Sequence, residues 1–380
     1  MRVAIVGAGV IGASAAYHLA AAGVDDVVIL ERGRAAGEGS TGRATGGFRA
    51  QFASAINVRL SLLAREKLRR FREEVGGEAG YDPRGYLFLG GTEADLARLR
   101  AARAVQAAEG LTEAIEVSID EVRRLNPAVD PAGIIGGAFC PTDGFLRPLD
   151  LLGGYLDAAR RLGVRVAWDA EVVAVERRAD RVVALATPRE RLGVDAVVNA
   201  AGPWAAGLAA LAGVHLPVLP LRRQVLPSRP QSVLPPDMPM TIFPDGFHLR
   251  VREDRILFLW PDPVAEGFDV GVDERWLDEV AMRAAARLPS TRAVPLDRAG
   301  AWAGLYEVTP DRHAILGAAP GCENLFLVNG SSGHGVMHAP ALGQLVAELV
   351  RGVRPALDVS SLRPTRFAEG AAHDEGDLLG

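Results

Sequence analysis

Residues 1–32 read MRVAIVGAGVIGASAAYHLAAAGVDDVVILER. The small apolar run at 3–6 has the composition of a strand buried on both faces. Gly7-Ala8-Gly9-Val10-Ile11-Gly12 follows, then an alanine-rich helical stretch to about residue 22, and a second apolar run at 27–30 that ends in Glu31. Strand, glycine turn, helix, strand and acid, in that order and spacing, make a dinucleotide-binding βαβ unit. Gly7 permits the tight turn, Gly9 lets backbone N–H groups approach a pyrophosphate, and Gly12 lets the helix lie close to the strand. Val10 and Ile11 open that helix, whose N-terminus favours phosphate charge. Glu31 can accept both hydroxyls of an adenosine ribose, and it argues against NADP, whose 2′-phosphate it would repel. By itself the unit suits NAD as well as FAD.

Composition agrees with a globular enzyme-sized chain. Its 380 residues suffice for two domains with substantial cores, and 49% hydrophobic against 23% charged residues argues against disorder. A net charge of −5 gives no reason to expect nucleic acid or an anionic membrane as partner. Cys140 and Cys322 show no CxxC spacing and read as small buried hydrophobes in a reducing compartment. The N-terminus has no basic flank ahead of an apolar core, and no run is long enough to span a bilayer, so a cytoplasmic protein is expected. Lys67 is the only lysine among 42 basic residues.

Beyond the opening unit, residues 33–52 (GRAAGEGSTGRATGGFRAQF) form a glycine-rich loop placed to curl back over a cofactor. Ser40, Thr41 and Arg43 can supply hydrogen bonds to phosphate or to a flavin ring, with Arg32, Ala44, Gly46 and Gly47 alongside. Helices are expected at 54–75, 93–108, 119–125, 148–162 and 274–288, and a β-hairpin at 171–177 and 181–187 brings Val172 and Val173 towards the nucleotide. A buried strand at 196–199 runs into Ala200-Ala201-Gly202-Pro203-Trp204, a second place for close backbone approach. Prolines cluster at 217–240, and strand-like runs at 240–243, 247–251 and 256–260 without βαβ rhythm suggest a separate antiparallel sheet. The strand at 324–328 leads to Gly330, Gly333, His334, Gly335, Val336 and Met337, again strand, glycine turn and helix start, with the helix expected from 341 to 350. No histidine set has metal-ligand spacing, since the glycine turn is taken to break any helix between His334 and His338; no metal is expected.

The motif order resembles the D-amino-acid oxidase superfamily of FAD enzymes, and within it the sarcosine oxidase, dimethylglycine dehydrogenase and L-proline dehydrogenase β-subunit group. The resemblance is carried by Gly7 to Gly12 with Glu31, the 40–52 loop, Asn199-Ala200-Ala201-Gly202-Pro203-Trp204, Trp302-Ala303-Gly304-Leu305-Tyr306-Glu307-Val308-Thr309-Pro310-Asp311 and Ser332-Gly333-His334-Gly335, over residues 1–352. It implies an α/β fold: a discontinuous Rossmann-type FAD-binding domain (1–85, 146–215 and 301–363) and an α+β substrate domain with a mixed or antiparallel sheet (86–145 and 216–300), followed by a polar tail (364–380). It also implies oxidation of the α-carbon–nitrogen bond of a secondary, tertiary or cyclic amino acid of sarcosine, dimethylglycine or proline type. A hydride equivalent passes to flavin N5 and the imine is hydrolysed; the flavin does the electronic work while the protein orients substrate and excludes water.

Residue by residue, the resemblance places Tyr306 at an active-site tyrosine and Arg49 near a flavin-facing arginine that favours the anionic reduced flavin. Where covalently flavinylated members carry a cysteine, this chain has Gly304, and where β-subunits carry an FMN-binding histidine it has Phe145-Leu146-Arg147-Pro148, so non-covalent FAD is expected. The lysine that helps hold substrate carboxylate is replaced by Met337, and a lysine that promotes oxygen reaction is missing, which tilts the expectation to a dehydrogenase. An arginine must then meet the carboxylate: Arg250 first, with Arg223 and His248 behind it. The electron acceptor is O2 or a partner protein or quinone, and a homo- or hetero-oligomer is compatible with the sequence. Three alternatives stand beside this reading: a flavin subunit of a heteromeric amine or proline dehydrogenase, a D-amino-acid or glycine oxidase, and a non-catalytic flavin-binding assembly protein. The intact glycine turns speak against the last.

Overall fold

A computed structural model describes residues 1–262 and 266–372. At its centre lies a six-stranded sheet in the order Ile315–Ala319, Cys322–Asn329, Ala196–Asn199, Arg2–Val6, Asp26–Leu30 and Arg165–Ala167. All neighbours are parallel except the first pair. Alternation along Arg2–Val6 explains the unbroken apolar run: Val3 and Ile5 face one core, and Ala4 and Val6 the other. The first core is roofed by the helices Val10–Ala21, Ala55–Arg69, Pro148–Arg161 and Gly335–Val350. Over the second lie the Ala205–Leu211 helix and a three-stranded antiparallel sheet of Ala174–Arg178, Arg181–Ala186 and Arg191–Gly193.

The second large sheet has eight strands, Trp302–Val308, Leu219–Pro227, Arg255–Leu259, His248–Arg252, Met240–Ile242, Tyr86–Gly90, Gly136–Cys140 and Ile115–Ser118. Its pairings are antiparallel apart from Met240–Ile242 with Tyr86–Gly90. One face packs on the Glu274–Arg287 helix through Trp276, Leu277 and Val280. Together the two sheets give the expected Rossmann-type α/β unit with a mixed-sheet α+β unit.

Three details differ from the sequence expectation. The Leu219–Pro227 strand lies in the proline-rich stretch; its Pro220 and Pro227 are exactly those residues that leave a ladder donor missing near a strand's ends. It pairs residue for residue with Trp302–Val308, from Leu219 opposite Val308 to Val225 opposite Trp302, so the segment carrying Tyr306 belongs to the substrate-side sheet rather than to the nucleotide-binding sheet. The C-terminal helix begins at Gly335, not 341: Pro340 is tolerated inside it, and His334 and His338 stand one helical turn apart with ring centroids at 5.8 Å. Finally, the segment expected as a polar tail is partly tied down. Pro364–Phe367 forms a 3-10 turn whose Arg366 is wholly buried and pairs with Asp311 at 2.8 Å; residues 373–380 lie outside the described part.

Candidate active site

A cavity of about 910 Å³ runs between the two sheets, walled by the glycine turn at 7–11, Glu31, the 37–45 loop, Val172, residues 200–204 and, at its other end, Arg223, residues 304–307, Ser331, Gly333, Gly335 and Val336. At the nucleotide end, Gly7 adopts φ 109° and a side chain there would collide with the Ala200 carbonyl. A methyl group on Gly12 would strike the Gly7 carbonyl oxygen, which is why the helix can start so near the strand. Glu31 braces this turn: one carboxylate oxygen accepts the Ala8 N–H and the other the Gly33 N–H, each at 2.7 Å. A carboxylate has about four lone-pair sites, so capacity remains for ribose hydroxyls. Gly9 offers no side-chain cap to the first helix; Thr41 Oγ accepts the Val10 N–H instead, at 3.1 Å. Arg32 lies 3.6 Å over the Trp204 ring, which stacks on Phe268 from the other side of the cavity. These residues suit an ADP moiety. Gly12→Val should therefore yield protein that retains little FAD; yellow, stoichiometrically loaded G12V would contradict the packing argument.

At the other end the Ser40–Arg43 helix is clasped to the Trp302–Val308 strand. Arg43 donates to the Ala303 carbonyl and Trp302 Nε1 to the Arg43 carbonyl, both at 2.9 Å. Arg43 thus engages backbone as well as walling the cavity. Gly304 sits against Arg43 Cβ, with no space for a larger side chain. Tyr306 is on the cavity wall, about one-third exposed, and Gly333 is close enough that a Cβ there would lie 2.5 Å from the tyrosine ring.

Several expected residues lie behind the wall rather than on it. Arg49 is buried, stacked 3.8 Å over Phe52, and its Nη2 is 3.2 Å from His334 Nε2. Because a guanidinium only donates, His334 Nε2 accepts; burial first, and then Arg49, hold that imidazole well below its ordinary range, hence neutral. Gly46 and Gly47 shape the loop, Gly46 accepting the Leu146 N–H at 2.7 Å, and Met337 is buried in the helix core. Val173 is half exposed and does not wall the cavity, whereas Val172 does. His248, whose Nδ1 donates to the Gly246 carbonyl at 2.8 Å, is pushed down to about 4 by burial and so is neutral.

Arg250, the first choice for substrate carboxylate, is spent elsewhere. Its Nη1 donates to the Thr45 carbonyl at 2.6 Å, and the guanidinium packs 3.6 Å over Phe145, pinning the cofactor loop. Arg223, by contrast, walls the cavity, lies 5.6 Å from the Tyr306 ring, and among the described residues its side chain donates only to the neighbouring Arg222 carbonyl. The nearby Asp262 is engaged by Arg222 and Gln224. Sequence reading missed Glu307, a buried carboxyl on the same wall pushed up to about 7 by burial. A charged residue in the middle of an otherwise apolar or aromatic strand was the available signal.

A dinucleotide turn at one end of a long cavity, with a tyrosine and an arginine at the other, fits a dinucleotide-dependent oxidoreductase. Residues 2–349 match the family described as FAD dependent oxidoreductase, abbreviated DAO, and the chain belongs to that family. FAD is its cofactor. Similar proteins include mitochondrial dimethylglycine dehydrogenase of Rattus norvegicus, 27% identical over 96% of this chain and 44% of the relative. Glycine oxidase of Geobacillus kaustophilus is 28% identical, over 96% of each chain. L-Proline dehydrogenase from P. horikoshii superposes with a TM-score of 0.90 at 26% identity, covering 97% of this chain and 98% of that one. The chain spans less than half the length of the dimethylglycine dehydrogenases it matches. By their names these relatives act on amines and amino acids, and this chain is an FAD-dependent oxidoreductase of the same family. No helix among the described residues is long and apolar enough to cross a membrane.

Proposed function

We propose that the protein oxidises the α-carbon–nitrogen bond of a small secondary, tertiary or cyclic amino acid of the sarcosine, dimethylglycine or proline type. The observation that carries the reading is Arg223, a guanidinium on the cavity wall beside Tyr306 with no ion-pair partner among the described residues. A substrate carboxylate fits that charge, and burial, which lowers the Arg223 pKa by disfavouring the cation, makes a negative ligand there more favourable. Bound FAD supplies the acceptor for the hydride equivalent. Glu31, Thr41 and the 7–12 turn would hold its nucleotide end, and the 304–306 and 331–336 segments at the other end of the cavity would take its ring. Tyr306 orients the substrate from the cavity wall, and His248 and His334, neutral behind that wall, add no charge to the substrate end. Arg49 places fixed positive charge behind the cofactor loop.

The experiment is anaerobic: FAD-loaded protein is mixed with sarcosine, dimethylglycine and proline, and the flavin absorbance followed. Bleaching by at least one supports the reading; fully loaded protein that none of them reduces would sink it. Two further outcomes follow. Acid precipitation should release the FAD to the supernatant, since Gly304 offers no nucleophile; colour retained in the pellet would show a covalent bond. After bleaching, reoxidation by air should be slow relative to an added quinone or dye, because Lys67, on the Ala55–Arg69 helix, is not on the cavity wall. Rapid peroxide formation would instead mark an oxidase.

A further inference from the structure

The cavity wall holds a carboxyl that substrate binding does not use. Glu307 is 8% exposed, and only one of its oxygens is engaged, accepting the Ser331 N–H at 3.3 Å. Among the described residues its Oε2 has no partner in hydrogen-bonding geometry, and neither does Ser331 Oγ, although the Gly330 and Ser331 N–H groups and the Ser331 hydroxyl are near enough to pull the carboxyl pKa down against burial; both residues wall the cavity. Buried polar oxygens are rarely left unmet, and two of them on a cofactor cavity wall point to a partner supplied by the bound group or by a proton.

The charged neighbours do not neutralise this carboxyl. The paired strand brings Arg222, bound to Asp262, and Arg223, whose register partner is Gly304, three residues from Glu307. From the short helix comes Arg43, donating to Ala303; the glycine turn brings the neutral His334; and beyond the strand Asp311 is tied to Arg366, while Arg312, next in sequence, is engaged in contacts of its own. On the strand itself Tyr306 is adjacent. None of these makes an ion pair with Glu307 among the described residues.

We propose that Glu307 is a proton-holding group coupled to the redox state of the bound FAD: it is largely ionised at mildly alkaline pH when FAD is oxidised and takes up a solvent proton on Oε2 when FAD is reduced. The electrostatics require this direction. Two electrons entering the cofactor raise negative charge beside the carboxyl, which disfavours its anion. Burial already brings Glu307 to about 7, so a modest further rise is enough to change its protonation across the neutral range. Electrons come from the reductant and the proton from solvent, so the step balances without another reactant.

The test uses FAD-loaded protein and dithionite, so it stands apart from any substrate. Proton uptake on complete anaerobic reduction is read with a pH indicator in weak buffer. At pH 8 the wild type should take up about one proton per FAD more than Glu307→Gln, and near pH 5.5, where Glu307 is already protonated, the difference should vanish. The reduced-minus-oxidised infrared spectrum of the wild type at pH 8 should show a new protonated-carboxyl band that is missing in E307Q. Equal proton uptake by the two proteins at pH 8 would overturn the proposal. If E307Q does not load FAD, the infrared spectrum of the wild type decides: absence of the carboxyl band rejects proton uptake and leaves Glu307 as a brace for the glycine turn.

Discussion

Arg223→Met should lower kcat/KM for an amino-acid substrate by roughly 10- to 150-fold, the equivalent of the ~1.5–3 kcal/mol that a hydrogen bond to a charged group contributes. The loss should fall mainly on KM if the carboxylate is held equally in ground and transition states. The discriminating control is the corresponding amine lacking the carboxylate. Wild type should use it poorly, and R223M should use it about as well as wild type does. An equal loss on both substrates would mean that Arg223 shapes the wall and does not recognise charge. Arg250→Met makes the contrasting case. Because Arg250 holds the Thr45 carbonyl, its removal should loosen the cofactor loop and reduce FAD retention, whichever substrate is offered.

The second large effect concerns stability. Arg366 is fully buried, and its guanidinium makes a two-point contact with Asp311, Nε to Oδ2 at 2.8 Å and Nη2 to Oδ1 at 3.0 Å, while also donating to the Leu362 and His313 carbonyls. Arg366→Met leaves a buried carboxylate uncompensated and should cost about 3–5 kcal/mol, a large part of a typical total of roughly 5–15 kcal/mol. Denaturant titration of FAD-loaded protein measures it. The pH dependence gives the sign. In the wild type burial would raise the Asp311 pKa, but the Arg366 hydrogen bonds and charge outweigh it and hold the carboxyl below its ordinary range. Its stabilising contribution is therefore present above the unfolded pKa and lost as pH falls through the folded one. In R366M burial is opposed only by His313, whose N–H still donates to Asp311, so the folded pKa should rise relative to the wild type and the loss of stability on acidification should shrink. A parallel pH response in both proteins would show that the pair does not carry this stability.

Much of the nucleotide end was legible because its requirements are local. A tight turn, a close helix and a ribose acceptor each demand a residue type at a set spacing, and Gly7, Gly12 and Glu31 meet those demands within one βαβ unit. The substrate end is assembled from distant strands, so spacing says little about it. Arg223 and Arg250 are both arginines on strands of the same sheet, and only the fold shows that one reaches the cavity wall while the other is consumed by loop carbonyls. Tyr306 was identified through its motif, but not its place at the edge of the eight-stranded sheet, because that depends on pairing with a proline-bearing strand. The early start of the Gly335–Val350 helix was hidden for the opposite reason. Glycines and an internal proline argue locally for a turn, and tertiary packing of Met337, Ala339 and Leu342 in the core overrides them.

The clasp between Arg43 and the Ala303 backbone, reinforced by Trp302 on the Arg43 carbonyl and by Arg250 on the Thr45 carbonyl, links the segment that wraps the nucleotide to the sheet that presents Tyr306 and Arg223. The clasp is made of protein groups alone, so the two ends of the cavity share one mechanical frame, and a substitution in either clasped segment should be felt at both ends.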